Sequence, residues 1–358
     1  MLPLTAMIPQ PLRIALVAPL YESVPPALYG GTERVVSYLT EELVRQGQHV
    51  TLFASADSIT SAELIPVCGR AIRLDPANPE PIALHVAMLE RVFKRASDFD
   101  IIHFHIDGLH LPLARRHPGA TVTTLHGRLD LPGLDVLYRE FSEHPLVSIS
   151  NAQRAPLPWA HWADTVYHGL PIELHQPSFG TGRYLAFLGR ISPEKGLPRA
   201  IEIARRTGIP LKIAAKVDRA DRDFFTARIE PLIDGALIEY IGEIGEREKT
   251  AFLGEALALL FPIDWPEPFG LTMIEAMACG TPVIAFRCGS VPEVVDVGVT
   301  GYVVDSLEEA VDCVGLVQRL DRRRCRAAFE QRFSATRMAR DYRNIYQLLG
   351  EQRWPLSA

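Results

Sequence analysis

The sequence predicts an α/β protein built from two doubly wound domains that face each other across a cleft. Short apolar runs, typical of buried parallel strands, alternate with amphipathic helical segments. This alternation fades around residues 171–183 and then starts again. The chain of 358 residues, 47% of them hydrophobic, is long and apolar enough for two cores. Because such sheets bind ligands at the carboxyl ends of their strands, we expect the functional site in the cleft.

The first half of the chain opens with a βαβ unit, which is the building block of a parallel sheet. The predicted strands of this half cover residues 12–18, 49–54, 101–104, 121–125, 146–149 and 165–168. Helices are predicted where apolar residues recur at helical spacing, namely Val35, Val36, Leu39 and Leu43, and then Ile82, Val86, Leu89 and Phe93.

The second half repeats the alternation after a segment with two prolines and two glycines, residues 171–183, which predicts a linker. Its predicted strands cover residues 184–188, 211–215, 237–241, 257–261 and 283–286. Apolar residues at helical spacing predict a last helix near the C-terminus. We therefore expect a Rossmann-like domain at residues 1–172, a second Rossmann-like domain at 173–335 and a C-terminal helix at 336–358.

Composition excludes several functional classes. A net charge of −6 gives no electrostatic case for nucleic-acid binding. The five cysteines are scattered without a C-x-x-C pair, as expected for a reduced, cytoplasmic protein. The N-terminus lacks a basic region and is interpreted as a short tail leading to a strand, not as a signal peptide. No apolar run is long enough to span a bilayer, which leaves only a peripheral membrane contact open.

The stretch D-W-P-E-P-F-G-L-T-M-I-E, residues 264–275, is the most informative part of the chain. It follows an apolar strand and opens a predicted helix, with Glu267 just before the helix and Glu275 in its first turn. Free N–H groups at a helix start bind phosphate, and nearby carboxylates bind sugar hydroxyls. Alternatively, Thr272 and Glu275 form a T-x-x-E capping box, and Glu267 is merely solvated.

The string E-P-F-G-L-T-M-I-E, continued by A-M-A-C-G-T-P-V-I-A, resembles the donor signature of the family-4 retaining glycosyltransferases, which have the two-domain GT-B fold. The resemblance implies that Glu267 holds hydroxyls of the transferred sugar and that Glu275 holds the nucleotide ribose. Backbone N–H groups would come from Phe269, Gly270, Leu271 and Thr272. In this family the last helix crosses back onto the N-terminal domain.

Two further motifs resemble phosphate-binding loops of the same family. Y-G-G-T-E-R-V-V places Gly30 and Gly31 between a strand and a helix, where their backbone would reach the donor diphosphate. G-R-x-x-x-x-K-G places Arg190 and Lys195 in one loop, where they would neutralise the leaving diphosphate. A tight turn for the glycines and solvated surface charges for the two cations are the alternatives.

Other candidates rest on the resemblance and on their position at strand ends. His126, in T-L-H-G, would face the donor sugar and join Glu267, Arg190 and Lys195 as a catalytic residue. Ile241 would contact the nucleotide base. His105 and Asp107 would line the acceptor side of the cleft. Weaker candidates near the nucleotide are Glu246 and Lys216.

Metal binding is not expected. The cluster H-F-H-I-D-G-L-H, residues 103–110, has suitable ligand types but no fourth ligand at suitable spacing. The two D-x-D triplets, at residues 98–100 and 221–223, occur where solvated charges are expected, not at a strand end. One departure from the family pattern is Tyr167-His168-Gly169, where many relatives have Asn-Gly, and this leaves the contact made by His168 open.

These observations predict a metal-independent, retaining glycosyltransferase of the hexosyltransferase type. Its donor would be a nucleotide diphosphosugar, UDP- or GDP-linked, and no cofactor is expected. The acceptor, whether a saccharide, a lipid-linked sugar or a small molecule, is not identified by the sequence. The alternatives are a nucleotide-sugar epimerase of the same fold and a non-catalytic nucleotide-sugar sensor.

Overall fold

The computed structural model of the protein describes residues 10–77 and 79–351. Within these ranges the chain forms two parallel β-sheets flanked by helices, which confirms the predicted fold class of two Rossmann-like domains. The predicted N-terminal tail, residues 1–9, and residues 352–358 of the predicted C-terminal segment lie outside the described residues. In the ranges that the structure describes, no helix combines the length and the apolar character needed to cross a membrane.

The first sheet has seven strands in the order β3-β2-β1-β4-β5-β6-β7. Its strands are β1 (Arg13–Val17), β2 (His49–Ala54), β3 (Glu63–Pro66), β4 (Ile101–Phe104), β5 (Ala120–Thr124), β6 (Leu146–Ser148) and β7 (Trp162–Thr165). The helices between them are α1 (Gly31–Arg45), α2 (Pro81–Lys94), α3 (Leu111–Ala114) and α4 (Leu134–Glu140). The central strands are buried on both faces, as expected for a parallel sheet covered by helices.

The second sheet has six strands in the order β10-β9-β8-β11-β12-β13. Its strands are β8 (Tyr184–Arg190), β9 (Leu211–Lys216), β10 (Ile238–Gly242), β11 (Ala256–Phe261), β12 (Val283–Phe286) and β13 (Gly301–Val304). The helices of this half and of the C-terminus are α5 (Leu197–Thr207), α6 (Arg222–Phe224), α7 (Glu246–Gly254), α8 (Leu271–Ala278), α9 (Val291–Val294), α10 (Leu307–Val317), α11 (Arg322–Arg332) and α12 (Ala335–Glu351).

Both sheets reverse their winding direction at the first strand of the domain. The reversal lies between β1 and β4 in the first sheet and between β8 and β11 in the second. At such a switch point the loops after neighbouring strands separate and leave a crevice at the carboxyl ends. The segments after β1, β8 and β11 line one shared cavity between the domains.

Three details of the two sheets and their flanks differ from the prediction. The last strand of the first domain is β7, because Thr165 pairs with Ser148 and residues 166–168 leave the sheet. The edge strands β3 and β13 are not predicted, since both are four residues long and their apolar pattern is weak. In α2 the buried side is His85, Met88, Leu89 and Val92, whereas Ile82 and Val86 are exposed.

The chain passes between the domains twice, and the two crossings are bonded to each other. Leu170 donates its N–H to Phe333 O at 2.9 Å and accepts from Ala335 N at 2.8 Å. Gly169 is required here, because a Cβ at this position would lie 2.4 Å from Ser334 O. The second crossing leads into α12, which packs against α1 and the first sheet.

Besides His85, the described part of the first domain encloses five buried histidines: His103, His105, His110, His144 and His168. Most of their polar contacts are hydrogen bonds to hydroxyl groups. His103 lies 2.7 Å from both Tyr346 Oη and Thr124 Oγ1, which ties α12 to the sheet. Thr123 Oγ1 bonds both His110 and His144. Burial lowers the pKa of all five imidazoles, that of His144 to about 4, so the folded protein keeps them neutral.

We predict that the free energy of unfolding decreases steeply as the pH falls below 6.5. In the unfolded chain these histidines take up protons near pH 6.5, whereas in the folded chain burial holds the pKa of each imidazole below that value, that of His144 at about 4. Stability is therefore lost as the pH falls through that window. Each imidazole that stays neutral in the folded protein lowers the free energy of unfolding by at most about 1.4 kcal/mol per pH unit below 6.5.

Urea unfolding followed by circular dichroism at pH 7.5, 6.5 and 5.5 measures this effect. His110→Gln should give a shallower dependence on pH, because one buried imidazole is removed. His49→Gln is the control, since His49 is exposed. A free energy of unfolding that is flat between pH 7.5 and 5.5 would contradict the prediction.

Candidate functional site

A cavity of about 390 Å³ lies between the two domains, at the carboxyl ends of both sheets. It contains most of the residues predicted from the sequence. From the first domain these are Gly30, Gly31 and His126, and from the second they are Arg190, Lys195, Glu267, Phe269, Gly270, Leu271, Thr272 and Glu275. Lys216, a weaker candidate, also lines the cavity.

Two helices from different domains begin at this cavity and meet across it. α1 begins after Gly30. Glycine is required at this position, because its φ is +148° and an added Cβ would lie 2.8 Å from Pro26. α8 begins after Gly270, which has a φ of +82°. A Cβ on Gly31 would lie 3.5 Å from the Leu271 side chain. Since a helix start carries free N–H groups and a partial positive charge, this convergence favours an anion.

Arg190 and Lys195 add two full positive charges to the same cavity. Arg190 ends β8, and its Nη2 donates to Glu194 at 2.8 Å. Lys195 ends the short turn before α5 and donates to the Glu267 carboxylate. Its Nζ also lies 5.1 Å from the centre of the Trp265 ring. The structure therefore brings the predicted cations to the cavity, and places one of them beside a predicted carboxylate.

The loop that carries Glu267 is fixed through its backbone on two sides. Asp264 N donates to Glu194 O at 2.8 Å, which ties the loop to the turn that carries Lys195. On the other side Ser290 donates its N–H to Glu267 O and its hydroxyl to Phe269 O. Gly289 makes this approach possible, because a Cβ there would lie 2.4 Å from the Glu267 backbone.

Glu275 lies deeper in the cavity wall and is not a helix cap. It is the fifth residue of α8, so it stands in the second turn and not the first. The N-cap is Gly270, while Thr272 is already inside the helix, so the capping-box alternative is wrong. Glu275 Oε1 accepts from Lys249 Nζ at 2.7 Å. Its Oε2 is buried and has no hydrogen-bond partner in the described ranges.

A row of imidazoles forms part of the cavity wall. His126 lines the cavity, and its Nε2 lies 2.8 Å from His105 Nδ1. On its other side the ring of His168 stacks at 5.3 Å, and His168 in turn contacts Phe269 edge-on. Burial lowers the pKa of His126 to about 3. His126 is therefore neutral at physiological pH, and it offers a hydrogen bond instead of a charge.

Four predicted residues do not line the cavity. Glu246, a weaker candidate, pairs instead with Arg34 and Lys249. Ile241 is exposed, because the register of β10 shifts between Tyr240 and Gly242, and Glu243 and Ile244 line the cavity instead. His105 is 3% exposed and contacts His126, so it lies behind the wall and not on its acceptor side. Asp107 is an exposed residue outside the cavity, with a left-handed φ of +54°.

The structure places cations where the acidic clusters could hold a metal. In the D-x-D triplet at 98–100, the aspartates pair with Arg95 and Arg13. In the other triplet, Asp221 lies 3.9 Å from Arg190. His175, Glu246 and Glu275 offer ligand atoms within 4.8 Å of one another. However, the Lys249 ammonium contacts both of these carboxylates, at 3.2 and 2.7 Å, and supplies the positive charge there.

Several lining residues are absent from the predicted site: Tyr29, Arg34, His168, Lys249 and Trp265. Arg34 and Tyr29 flank the glycine motif, so their positions could have been inferred from it. His168 occupies the position where the sequence departs from the family pattern. Lys249 gives no local signal, since its partner Glu275 is 26 residues away and on another helix.

Comparisons with known proteins match both halves of the chain. The family described as "Glycosyltransferase Family 4" matches residues 29–167, and the family "Glycosyl transferases group 1" matches residues 174–321. A phosphatidyl-myo-inositol mannosyltransferase of Mycobacterium leprae is 27% identical over 341 residues, which cover 86% of this chain and 87% of the relative. A D-inositol 3-phosphate glycosyltransferase of Mycobacteroides abscessus is 30% identical, over 48% of this chain and 41% of the relative.

Solved structures give the same fold. AviGT4, a glycosyltransferase involved in avilamycin A biosynthesis, superposes with a TM-score of 0.72 at 25% identity, over 96% of this chain and 99% of AviGT4. A sucrose-phosphate synthase from Thermosynechococcus elongatus has a TM-score of 0.77 over 94% of this chain and 99% of the synthase. Its identity of 18% supports the fold alone.

The contact between Gly289 and the Glu267 loop leads to a prediction on stability. Gly289→Ala should strain a left-handed backbone and also push against the Glu267 backbone. Gly298→Ala is the matched control, because Gly298 has a φ of +75° with open space around it. The control should lose about 1 to 2 kcal/mol of unfolding free energy, and Gly289→Ala roughly 2 kcal/mol more. Equal losses in urea unfolding would show that the close approach does not constrain the loop.

Proposed function

Because the chain belongs to the family-4 glycosyltransferases of the GT-B fold, we propose that it transfers a sugar from a nucleotide diphosphosugar to an acceptor hydroxyl, with retention of configuration and without a metal ion. The enzyme class, a glycosyltransferase, is confirmed by the matched families and relatives. This favours transfer over the epimerase and sensor alternatives. The donor, the stereochemistry and the metal independence are our proposals.

One observation carries the donor assignment: four positive features converge on a cavity that also contains two carboxylates. The positive features are Arg190, Lys195 and the starts of α1 and α8. A diphosphate suits such a group, because its charge is concentrated in a small volume and its oxygens accept hydrogen bonds. The carboxylates of Glu267 and Glu275 suit neutral hydroxyl groups on either side of that diphosphate.

In the proposed complex Arg190 and Lys195 hold the diphosphate. The guanidinium binds two oxygens side by side, whereas the ammonium acts as a compact charge with three donors. Lys195 uses one donor on Glu267 and has others for a phosphate oxygen. During transfer, negative charge builds up on the departing diphosphate, so these two cations stabilise the transition state more than the ground state.

The remaining contacts orient the donor on both sides of the diphosphate. Glu267 would accept hydrogen bonds from the transferred sugar, and Glu275 would accept them from the ribose. His126 is neutral, and its Nδ1 has no hydrogen-bond partner among residues 10–77 and 79–351, so it would bind a further sugar hydroxyl. Backbone N–H groups of residues 269–272 would complete the diphosphate site.

The proposed reaction occurs on one face of the sugar. The bond between the anomeric carbon and the diphosphate oxygen breaks, and the acceptor oxygen bonds to the same carbon from the face that the diphosphate leaves. The proton of the acceptor hydroxyl passes to a phosphate oxygen, so the charges balance without a metal ion. The acceptor, whether saccharide, lipid-linked or small molecule, would enter from the first domain.

We predict that Arg190→Ala and Lys195→Ala each lower kcat/KM by about 100-fold or more, since each removes a group that stabilises developing charge. Release of UDP, GDP or ADP from UDP-glucose, UDP-N-acetylglucosamine, GDP-mannose and ADP-glucose measures the activity. Lys212→Ala is the control, because Lys212 pairs with Glu239 outside the cavity. Turnover in either cavity variant equal to that of the control would refute the phosphate assignment.

We further predict that EDTA leaves the activity unchanged and that an α-linked donor gives an α-linked product. Proton NMR of the product reports the anomeric configuration, and the transfer assay with and without EDTA reports the metal requirement. A β-linked product would exclude retention. Activity that EDTA abolishes and Mn²⁺ restores would exclude the metal-independent reaction.

A further inference from the structure

A buried row of alternating charges connects the first domain to the wall of the cavity that carries Glu275. Arg34, on α1, donates to Glu246 at 2.6 Å across the domain boundary. Glu246 lies 3.2 Å from Lys249, on the same helix α7, and Lys249 donates to Glu275 at 2.7 Å. Two cations and two carboxylates from three helices thus form one continuous network.

The network is shielded from water. The side chains of Arg34, Lys249 and Glu275 are 8%, 13% and 3% exposed, and that of Glu246, the most exposed member, is 21% exposed. In such surroundings an ion pair is screened little, and removing one partner leaves a buried charge without compensation. The groups facing Lys249 are the carboxylates of Glu275 and Glu246 and the guanidinium of Arg34. Burial acts to lower the pKa of Lys249, but the carboxylates outweigh it and raise the pKa, so Lys249 stays charged.

Lys249 holds one oxygen of Glu275 and leaves the other unused. Oε1 accepts a hydrogen bond from the Lys249 ammonium, while Oε2 is buried without a hydrogen-bond partner in the part of the chain that the structure describes. A carboxylate fixed at one oxygen has lost most of its rotational freedom before a ligand arrives. Binding a hydroxyl at the second oxygen then needs little further ordering, which is the energetic advantage of a preorganised site.

We propose that Lys249 is a positioning residue that orients Glu275 for the ribose hydroxyls, and that the Arg34–Glu246 ion pair makes this orientation depend on contact between the two domains. The inference rests on the proposed ribose role of Glu275 and adds how that role is maintained. According to this inference, the network makes the protein bind ribonucleotides more tightly than nucleotides that lack the ribose hydroxyls. Lys249 itself need not touch the nucleotide.

Calorimetric titration with nucleoside diphosphates tests the proposal. UDP, GDP and ADP are each compared with their 2′,3′-dideoxy analogues, which keep the base and the diphosphate. The wild-type protein should bind the tightest-binding ribonucleotide about 10- to 100-fold more tightly than its dideoxy analogue, as expected for hydrogen bonds to a charged group. Lys249→Met should reduce this preference to less than about threefold, and Lys249→Arg should restore most of it.

Two controls separate positioning from unfolding. Arg247→Met removes an exposed cation from the same helix and should keep the wild-type preference. Lys249→Met should bind inorganic pyrophosphate as tightly as the wild type, because the diphosphate cations lie elsewhere. Loss of pyrophosphate binding in Lys249→Met would show that the site itself has collapsed and would overturn the positioning role.

The role of Arg34 is tested by a double-mutant cycle. If Arg34 acts through Glu246 and Lys249, Arg34→Met should lower the preference for the ribonucleotide at least threefold. The double variant Arg34→Met/Lys249→Met should then lose no more of this preference than Lys249→Met alone. Additive losses would overturn the coupling between the domains.

Glu275→Gln distinguishes this inference from the proposed function. If Glu275→Gln retains the wild-type preference, or the wild type has none, the ribose role of Glu275 is wrong. If Glu275→Gln abolishes the preference while Lys249→Met retains it, only the positioning role of Lys249 is wrong.

Discussion

The cleft depends on the pairing of four of its cations with carboxylates. Lys195 pairs with Glu267, Arg190 with Glu194, Lys249 with Glu275 and Arg34 with Glu246. Without these partners the positive charges would repel one another and the helix starts beside them. Because the pairs are local and partly buried, they also fix the direction in which each cation and each carboxylate points. A ligand that brings both a diphosphate and hydroxyl groups matches this alternation, whereas a simple anion matches only half of it.

The backbone supports this arrangement at points where side chains cannot fit. Gly30 and Gly270 give the two helices their starting geometry, and Gly289 lets its loop lie directly against Glu267. Residues of the second domain thereby hold the carboxylate in place from the side opposite Lys195. The site is thus built on helix starts and bonded loops, which keep functional groups in place better than free loops do.

The sequence predicted the fold, because parallel strands and covering helices leave a local pattern. It also indicated the residues within single motifs, such as Arg190 with Lys195 and Glu267 with Glu275, since their spacing is fixed by one loop or one helix. Contacts between distant segments could not be predicted in this way. The pairing of Lys249 with Glu275 needs two helices packed side by side, and the outward turn of Ile241 results from a register shift in β10. The predicted acceptor-side role of His105 failed for a similar reason, because His126 covers it.

The contacts between the domains differ in kind from one side of the cleft to the other. At the crossings, backbone bonds join Leu170 to the segment before α12, and Phe333 packs against Tyr167 and Phe269. Away from the crossings the contacts include polar pairs, namely Arg34 with Glu246 and Glu293 with the backbone of residues 151–152. Two cations there also lie over aromatic rings of the other domain, Arg128 over Trp265 and Lys216 over Tyr29. Polar pairs can exchange their partners for water, whereas separating apolar rings exposes them at a cost. The energetically easier motion is therefore one that opens the cleft at its polar side and keeps the aromatic contacts at the crossings as the pivot.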